Sequence, residues 1–183
     1  MEEDYELINK YLKGEQDALK MLIDKYTSSI YNFTIRFVGI DNAPDVTQEV
    51  FIKVWKNLKN FDNDKAQFKT WLFVIARNTI TDFLRKKKMV LFSSLDKEEE
   101  NFAESIEDDA LLPDEILNNI QDKKELYKLV SELPNNYKLV LTLYYQEDMT
   151  FKEIGEVLGK PINTVKSYHH RALCILKDKL TII

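Results

Sequence analysis

The stretch that most clearly indicates the fold is FKTWLFVIARNTITDFLRKKK, residues 68–88. At about 100° per residue, one side of a helix receives Leu72, Ala76, Ile80 and Phe83. The opposite side is polar, basic and aromatic, and the stretch ends on three lysines. The pattern predicts a helix that buries one face in a core and leaves a basic face for solvent or a ligand.

The composition of the whole chain favours helices. Its 183 residues include only four glycines and four prolines, and 44% are hydrophobic, which is enough for packed cores. A single cysteine, Cys174, excludes an internal disulfide framework and is typical of a reducing compartment. The N-terminus is unlike a signal peptide, and the longest apolar run, WLFVIA, falls far short of the roughly 20 residues that span a bilayer. We expect a soluble, cytoplasmic protein without membrane insertion.

The charge is divided unevenly along the chain. Residues 96–115 hold ten acids and one lysine, a net charge of −9, so the total of −5 leaves +4 for the rest of the chain. An acidic total therefore does not exclude a nucleic-acid ligand. The acidic stretch lacks a sustained helical apolar pattern, and we interpret residues 92–113 as a flexible linker. The predicted fold is all-α, with small helical domains at residues 1–91 and 114–183.

Helix signals recur on both sides of this linker. Four helices are predicted before it, and the third opens at DNAPDV with Pro44 in its first turn. Its apolar set is Val46, Val50, Phe51, Val54, Trp55 and Leu58. After the linker, Thr150 and Glu153 have capping-box spacing and Gly159 ends their helix. The short GKPI connection, followed by a helix that Asn163 caps, predicts a helix–turn–helix in the C-terminal domain.

The last helix has a polar side that suits DNA. Small polar and basic residues occupy its first turns, where a recognition helix contacts base edges and phosphates. The alternative is an ordinary amphipathic helix with a solvated face. The DNA interpretation is favoured by the tight turn before the helix. Its candidate contact residues are Asn163, Thr164, Lys166, Ser167, His170 and Arg171.

Metal binding and catalysis are not indicated. A structural zinc site needs about four ligands, and the adjacent histidines with Cys174 form neither a CxxC nor an HxxxH pair. The sequence has no glycine-rich phosphate loop, no GxSxG and no HExxH. We expect no enzyme activity, no metal, no cofactor and no small-molecule substrate.

Two further surfaces each have two interpretations. The polar side of residues 68–88 combines a tryptophan with Asn and Arg residues. Proteins that bind single-stranded nucleic acids use such residues to stack the bases on aromatic rings and to bind the phosphates with cations. It could equally be a core-closing tryptophan and a solvated basic helix end. In the third helix, Ile52 lies among polar residues, which is either ordinary exposure or a docking point for a protein partner.

Four stretches together resemble a known family. They are DVTQEVFIKVWKNLKNF, FKTWLFVIARNTITDFLRKKK, LPNNYKLVLTLYYQEDMTFKEIGEVLG and INTVKSYHHRAL, in that order. In order and spacing they are similar to bacterial RNA polymerase sigma factors of the sigma-70 family, in the extracytoplasmic-function group. The resemblance covers almost the entire chain apart from the linker.

The resemblance implies a dissociable transcription initiation subunit with three contact surfaces. The first domain would dock on the clamp helices of the largest polymerase subunit, and the polymerase flap is a further contact in this family. The residues that the resemblance assigns to docking, here the docking face, are Asp45, Gln48, Glu49 and Ile52. The melted −10 element would meet the strand-binding face, which consists of Asn63, Trp71, Arg77, Asn78, Arg85, Lys86, Lys87 and Lys88. The −35 element would meet the reading face, which is the six-residue set on the last helix.

The sequence departs from the family pattern in one place. The recognition helix often begins Gly-Thr-Val-Lys-Ser-Arg, whereas NTVKSY stands here, so Tyr168 replaces an arginine. The family also implies promoter DNA and an anti-sigma protein as partners. The alternative function is a helix–turn–helix regulator that binds an operator by itself and whose first domain senses a ligand or dimerises.

Overall fold

A computed structural model describes residues 2–91 and 129–181, with side chains described for residues 3–87 and 129–179. Within these ranges the regular structure is entirely helical, as the composition predicts. The predicted linker, residues 92–113, lies outside the described residues. The described helices belong to two compact units: those within residues 2–91 lie in the first, and those at residues 135–145 and 162–181 lie in the second.

The first unit contains four helices and a short 3-10 turn. They are α1 (Glu2–Leu12), α2 (Gln16–Val38), α3 (Ala43–Asn57), the turn Leu58–Asn60 and α4 (Phe68–Leu91). Gly39 ends α2 at a φ of 80°, a conformation that glycine adopts without a Cβ clash. Pro44 lies in the first turn of α3, as its position in DNAPDV predicts.

The core of the first unit lies between α2, α3 and α4. Ile30 and Phe33 of α2, Val50 of α3, and Leu72 and Phe73 of α4 are almost completely buried. The rings of Phe33 and Phe73 meet edge to face at a centroid distance of 5.1 Å, a favoured aromatic geometry. The predicted apolar face of residues 68–88 is therefore confirmed, and it fixes which side of α4 faces outward.

The second unit contains α5 (Asn135–Tyr145) and α7 (Ile162–Thr181), and α6 (Phe151–Leu158) precedes α7. Apolar residues from the chain before α5, from α5 and from the second half of α7 form one cluster. Its buried members are Leu129, Leu133, Leu141, Ala172 and Leu176. Val165 is fully buried nearer the start of α7. One side of α7 is therefore held inside, and the opposite side is left at the surface.

Hydrogen bonds fix helix α6 at both of its ends. The predicted capping box is present, because Glu153 Oε2 accepts hydrogen bonds from the Thr150 N–H and hydroxyl at 2.8 and 2.7 Å. At the other end, Lys160 N–H donates to Gly155 O at 3.0 Å. A Cβ at Gly155 would lie 2.9 Å from the Lys160 carbonyl oxygen, so the turn approaches the helix backbone where only glycine fits. This close approach holds α7 at a set angle after the turn.

The start of α7 differs from its predicted position. The helix begins at Ile162, and the Pro161 carbonyl accepts hydrogen bonds from Thr164 and Val165 N–H at 3.0 and 3.2 Å. The prediction that Asn163 caps the helix is therefore wrong. Proline has the fixed φ that suits a helix start, so Asn163 falls inside the first turn with its side chain exposed.

No helix in the described ranges has both the length and the apolarity to cross a membrane.

Candidate nucleic-acid and partner interfaces

The docking face lies along the outer side of α3. Asp45, Gln48 and Ile52 are exposed and Glu49 is half-buried. Their spacing of three and four residues places them on one side of the helix. The opposite side is buried in the core of the first unit. The sequence-predicted docking residues are thus brought together on one accessible stripe.

Trp55 extends this stripe, although the sequence pattern assigned it to the apolar side of the helix. Its side chain is 52% exposed, and its Nε1–H donates a hydrogen bond of 2.7 Å to the Tyr11 hydroxyl of α1. The assignment to the buried arc is therefore wrong. The spacing could have revealed it, because Trp55 follows Ile52 by three residues and Gln48 by seven. Trp55 and Tyr11 add aromatic surface beside the docking face.

The strand-binding face runs along the outer side of α4. Trp71, Asn78 and Arg85 recur every seven residues, so they follow one line along the helix. Arg77 lies beside this line and donates a 3.3 Å hydrogen bond to Asn78 Oδ1. Lys86 and Lys87 are exposed at the end of the face. Lys88 continues the helix, and its side chain lies outside the described residues.

Trp71 is half-buried in an aromatic cluster rather than fully exposed. Its ring centroid lies 5.2 Å from that of Phe61 and 5.8 Å from that of Phe68. Phe61 lies at the start of the loop to α4, and the same loop contains the exposed Asn63. Part of the Trp71 ring therefore packs against these phenylalanine rings, and the rest lies at the surface.

The loop that carries Asn63 is ordered by a neighbouring acid. Asp62 Oδ1 accepts a 3.0 Å hydrogen bond from the Asp64 N–H, and Asp62 Oδ2 pairs with Lys65 at 3.0 Å. The hydrogen bond to Lys65, followed by the bond from the Asp64 N–H, lowers the pKa of Asp62 from its ordinary value. Asn63 belongs to this local turn, and its side chain is exposed.

The docking and strand-binding faces are joined by ion pairs between α3 and α4. Lys53 Nζ lies 3.1 Å from Glu49 Oε1 and 3.8 Å from Asp82 Oδ2. The second oxygen of the same carboxylate, Asp82 Oδ1, lies 3.0 Å from Arg85 Nη2. A continuous line of alternating charges therefore connects a docking residue with a strand-binding residue.

The reading face occupies the first half of α7, on the side away from the buried cluster. Asn163 and Lys166 are exposed, and the other four members are half-buried. Ser167 Oγ donates a 2.9 Å hydrogen bond to the Asn163 carbonyl, which keeps that hydroxyl against the helix. His170 Nε2 lies 3.5 Å from the sulfur of Cys174, which is exposed.

His169, next to this face, points the other way. Its ring is buried among Tyr144, Tyr145 and Phe151 at centroid distances of 4.9, 5.6 and 5.2 Å. Its Nε2 is 3.2 Å from the Tyr145 hydroxyl. Burial, and to a lesser extent the charge of His170, lowers the pKa of His169 below its ordinary 6.5. A neutral His169 therefore helps to pack α7, and it is not part of the reading face.

In the described ranges, His, Cys, Asp and Glu side chains do not gather in threes in a way that could hold a metal ion.

Comparisons with known proteins match both units. The family description Sigma-70 region 2 matches residues 22–89, and Sigma-70 region 4 matches residues 123–173. The first match contains α3 and nearly all of α4, with the docking and strand-binding faces. The second contains α6 and most of α7, including the reading face.

Relatives and solved structures agree with these matches. The chain is 32% identical to the ECF RNA polymerase sigma factor SigW of Bacillus subtilis, over 94% of each chain. The structure of CnrH in complex with the cytosolic domain of CnrY is 21% identical, covers 98% of each chain and has a TM-score of 0.70. The sigma factor RpoE in complex with the anti-sigma factor NepR from Bartonella quintana is 22% identical, with a TM-score of 0.67 over 89% of this chain and 96% of that one.

The likeness to the two solved structures concerns the fold alone, whereas the SigW relative and the two sigma-70 matches concern the family. The alternative of a conventional operator-binding regulator is not favoured by these matches. The chain belongs to the ECF RNA polymerase sigma factors of the sigma-70 family, which are non-enzymatic transcription initiation factors.

Proposed function

We propose that this sigma factor divides its work among the three faces defined above. Residues 1–91 bind core RNA polymerase through the docking face, extended by Trp55, and hold the melted −10 element on the strand-binding face. Residues 114–183 bind the −35 element through the reading face. The protein performs no chemistry of its own and acts in the cytoplasm, where RNA polymerase works.

The observation that carries the proposal is the way α7 is held. Its apolar side is fixed in a buried cluster, and the turn before it is fixed by the close contact of Lys160 with Gly155. The side chains of its first turns therefore reach the surface from a rigid element. A helix held in this way can present those side chains to the major groove, which supports its proposed role as a recognition helix.

On α4, the proposal rests on the combination of aromatic and basic groups. Extruding a base from a duplex costs a few kcal/mol, which contacts to the extruded base must recover. The surface part of Trp71, the exposed Asn63 and the exposed Asn78 provide stacking and hydrogen bonds within a short distance along the chain. The lysines that follow suit the phosphates of the same strand.

A regulatory partner also belongs to this proposal. The Bartonella quintana sigma factor was solved with an anti-sigma factor bound. The exposed apolar groups beside the docking face, Ile52 and Trp55, are surfaces that a protein can cover. An anti-sigma protein that covered them would block access of the polymerase.

The proposal is tested with one alanine substitution on each of two faces, each expected to weaken a different activity. Replacing Ile52 by Ala removes apolar contact area from α3, so binding to core polymerase should weaken about threefold to tenfold, the loss expected for a partly exposed interface residue.

Replacing Arg171 by Ala removes one base or phosphate contact, so transcription from a cognate promoter should fall about tenfold. Co-sedimentation with core polymerase measures the first quantity, and run-off transcription at saturating core measures the second.

Each variant serves as the control for the other. Arg171→Ala should bind core polymerase as the unaltered protein does, and Ile52→Ala should regain transcription when core polymerase is in excess. Loss of both activities in Arg171→Ala, with the helical circular dichroism signal intact, would contradict the assignment of the reading face.

A further inference from the structure

Glu49, Lys53, Asp82 and Arg85 form an ion-pair chain that runs from the docking face to the strand-binding face. Lys53 approaches Glu49 at 3.1 Å and Asp82 at 3.8 Å, and Arg85 approaches Asp82 at 3.0 Å. The two cations use different oxygens of the Asp82 carboxylate and come from different helices. Asp82 is thus shared between α3 and α4.

Asp82 is out of place on a surface that binds a strand. It lies four residues after Asn78 and three before Arg85, so it belongs to the outer side of α4. A carboxylate there repels phosphates, and it also holds the guanidinium that should meet them. The side chains of Asp82 and Arg85 are 43% and 70% exposed, so the pair lies where DNA would approach. Because the Asp82 carboxylate weakens strand binding, we expect another role for this side chain.

We propose that Asp82 restrains Arg85 in the unbound protein and that Lys53 links this restraint to polymerase docking. This inference rests on the proposed function of the two faces. When a cation of the polymerase pairs with Glu49, Lys53 loses its closer partner and turns to Asp82. A closer ammonium group at Oδ2 neutralises part of the Asp82 charge, which weakens the attraction of Oδ1 for Arg85 and makes the guanidinium more available to the single strand.

The distances support competition rather than a fixed network. One ammonium group lies between two carboxylates and is 0.7 Å closer to Glu49 than to Asp82. Neither of these carboxylates is buried, and exposed ion pairs exchange partners readily because each contributes little free energy. We therefore expect polymerase docking to change the affinity for single-stranded DNA by a few fold. A change of this size can be measured, and it can reverse when the polymerase is released.

The test measures binding of the full-length chain, without polymerase, to a short radiolabelled single-stranded DNA by filter binding. Asp82→Asn should raise the affinity about two- to fivefold, the range that an exposed ion pair supplies. Glu49→Gln should raise it in the same direction, because it releases Lys53 toward Asp82. Asp24→Asn is the control, since it removes the same charge from an exposed position on α2.

Repeating the measurement in a variant without Lys53 separates the effect of the ion-pair chain from a general effect of charge. With Lys53 replaced by Met, the rise caused by Glu49→Gln should fall to the level of Asp24→Asn, because the link is absent. The inference is overturned if that rise persists without Lys53, or if Asp82→Asn does no more than Asp24→Asn. Arg85→Ala tests the proposed function separately, because strand binding must weaken in that variant whether or not Asp82 restrains Arg85.

Discussion

Asp4 shows at the residue scale how one carboxylate attaches α1 to α2. Its side chain is almost buried and accepts hydrogen bonds from the Tyr26 hydroxyl at 2.6 Å and from Lys25 Nζ at 2.7 Å. Glu3 also accepts a hydrogen bond from Lys25 at 2.7 Å, but its side chain is 72% exposed. The hydrogen bonds to Asp4 and then to Glu3 raise the pKa of Lys25 above its ordinary value.

Replacing Asp4 by Asn should therefore loosen α1. The amide keeps the size of the side chain but turns a donor toward Lys25 or Tyr26, so a buried group loses a partner at a cost of about 1–3 kcal/mol. Hydrogen exchange of the α1 amides, measured on the full chain by mass spectrometry, should become faster by the corresponding factor. Glu3→Gln alters an exposed pair and should change exchange little. Equal effects of the two variants would show that burial of Asp4 is not what secures α1.

Gly155 is a second residue whose environment decides its identity. Replacing glycine by alanine inside a helix normally stabilises it by about 1 kcal/mol. At Gly155 the new methyl group would meet the Lys160 carbonyl, and such overpacking costs about 1–3 kcal/mol. Gly155→Ala should lower the free energy of unfolding in urea, followed by circular dichroism, whereas Glu156→Ala at the exposed neighbouring position should not. A stability gain in Gly155→Ala would mean that the turn can move away without cost.

At the scale of the element, α7 combines the proposed reading face with a buried titratable ring. The pKa of His169 is lowered by burial, so the unfolded chain takes up a proton at a higher pH than the folded one. Stability from the neutral ring is complete above the ordinary pKa of 6.5 and declines as the pH falls below it. The buried face of α7 therefore becomes weaker in mild acid.

This behaviour can be measured by urea denaturation at a pH of about 7.5 and of about 5.5, which lie on either side of an unperturbed histidine pKa. The unaltered protein should lose more stability between the two conditions than His169→Phe, in which the ring cannot take up a proton. His170→Asn removes the neighbouring half-buried histidine and should keep most of the dependence. If His169→Phe and the unaltered protein respond equally, carboxylates rather than this ring dominate the acid response.

Helical periodicity predicted which sides of the helices are buried. It was wrong for a residue at the edge of a buried side and for a residue at a helix end. Leu72, Ala76 and Ile80 are buried as expected, because α4 packs against buried apolar residues of α2 and α3. Trp55 was misplaced because a periodic pattern counts an indole as apolar and cannot register a hydrogen bond to Tyr11, 44 residues away in sequence. Asn163 was misplaced because Pro161 starts the helix first.

At the scale of the molecule, the order of motifs was enough to predict an all-α chain and its family. The three faces were also assigned from sequence, and the structure describes each of them at the surface apart from the side chain of Lys88. The ion-pair chain could not be predicted, because it depends on how α3 and α4 lie side by side. Spacing within one helix indicates the pair of Asp82 with Arg85, but it contains no information about Lys53.

The exposed Trp55 has a practical consequence, because the chain has only two tryptophans and both belong to the first unit. Light that excites indole but not tyrosine therefore reports on that unit alone. Trp55 is open to a soluble quencher, whereas Trp71 is partly shielded by phenylalanine rings. The emission of the native protein thus contains one signal from beside the proposed docking face and another from the proposed strand-binding face, so covering of either face can be followed without any added label.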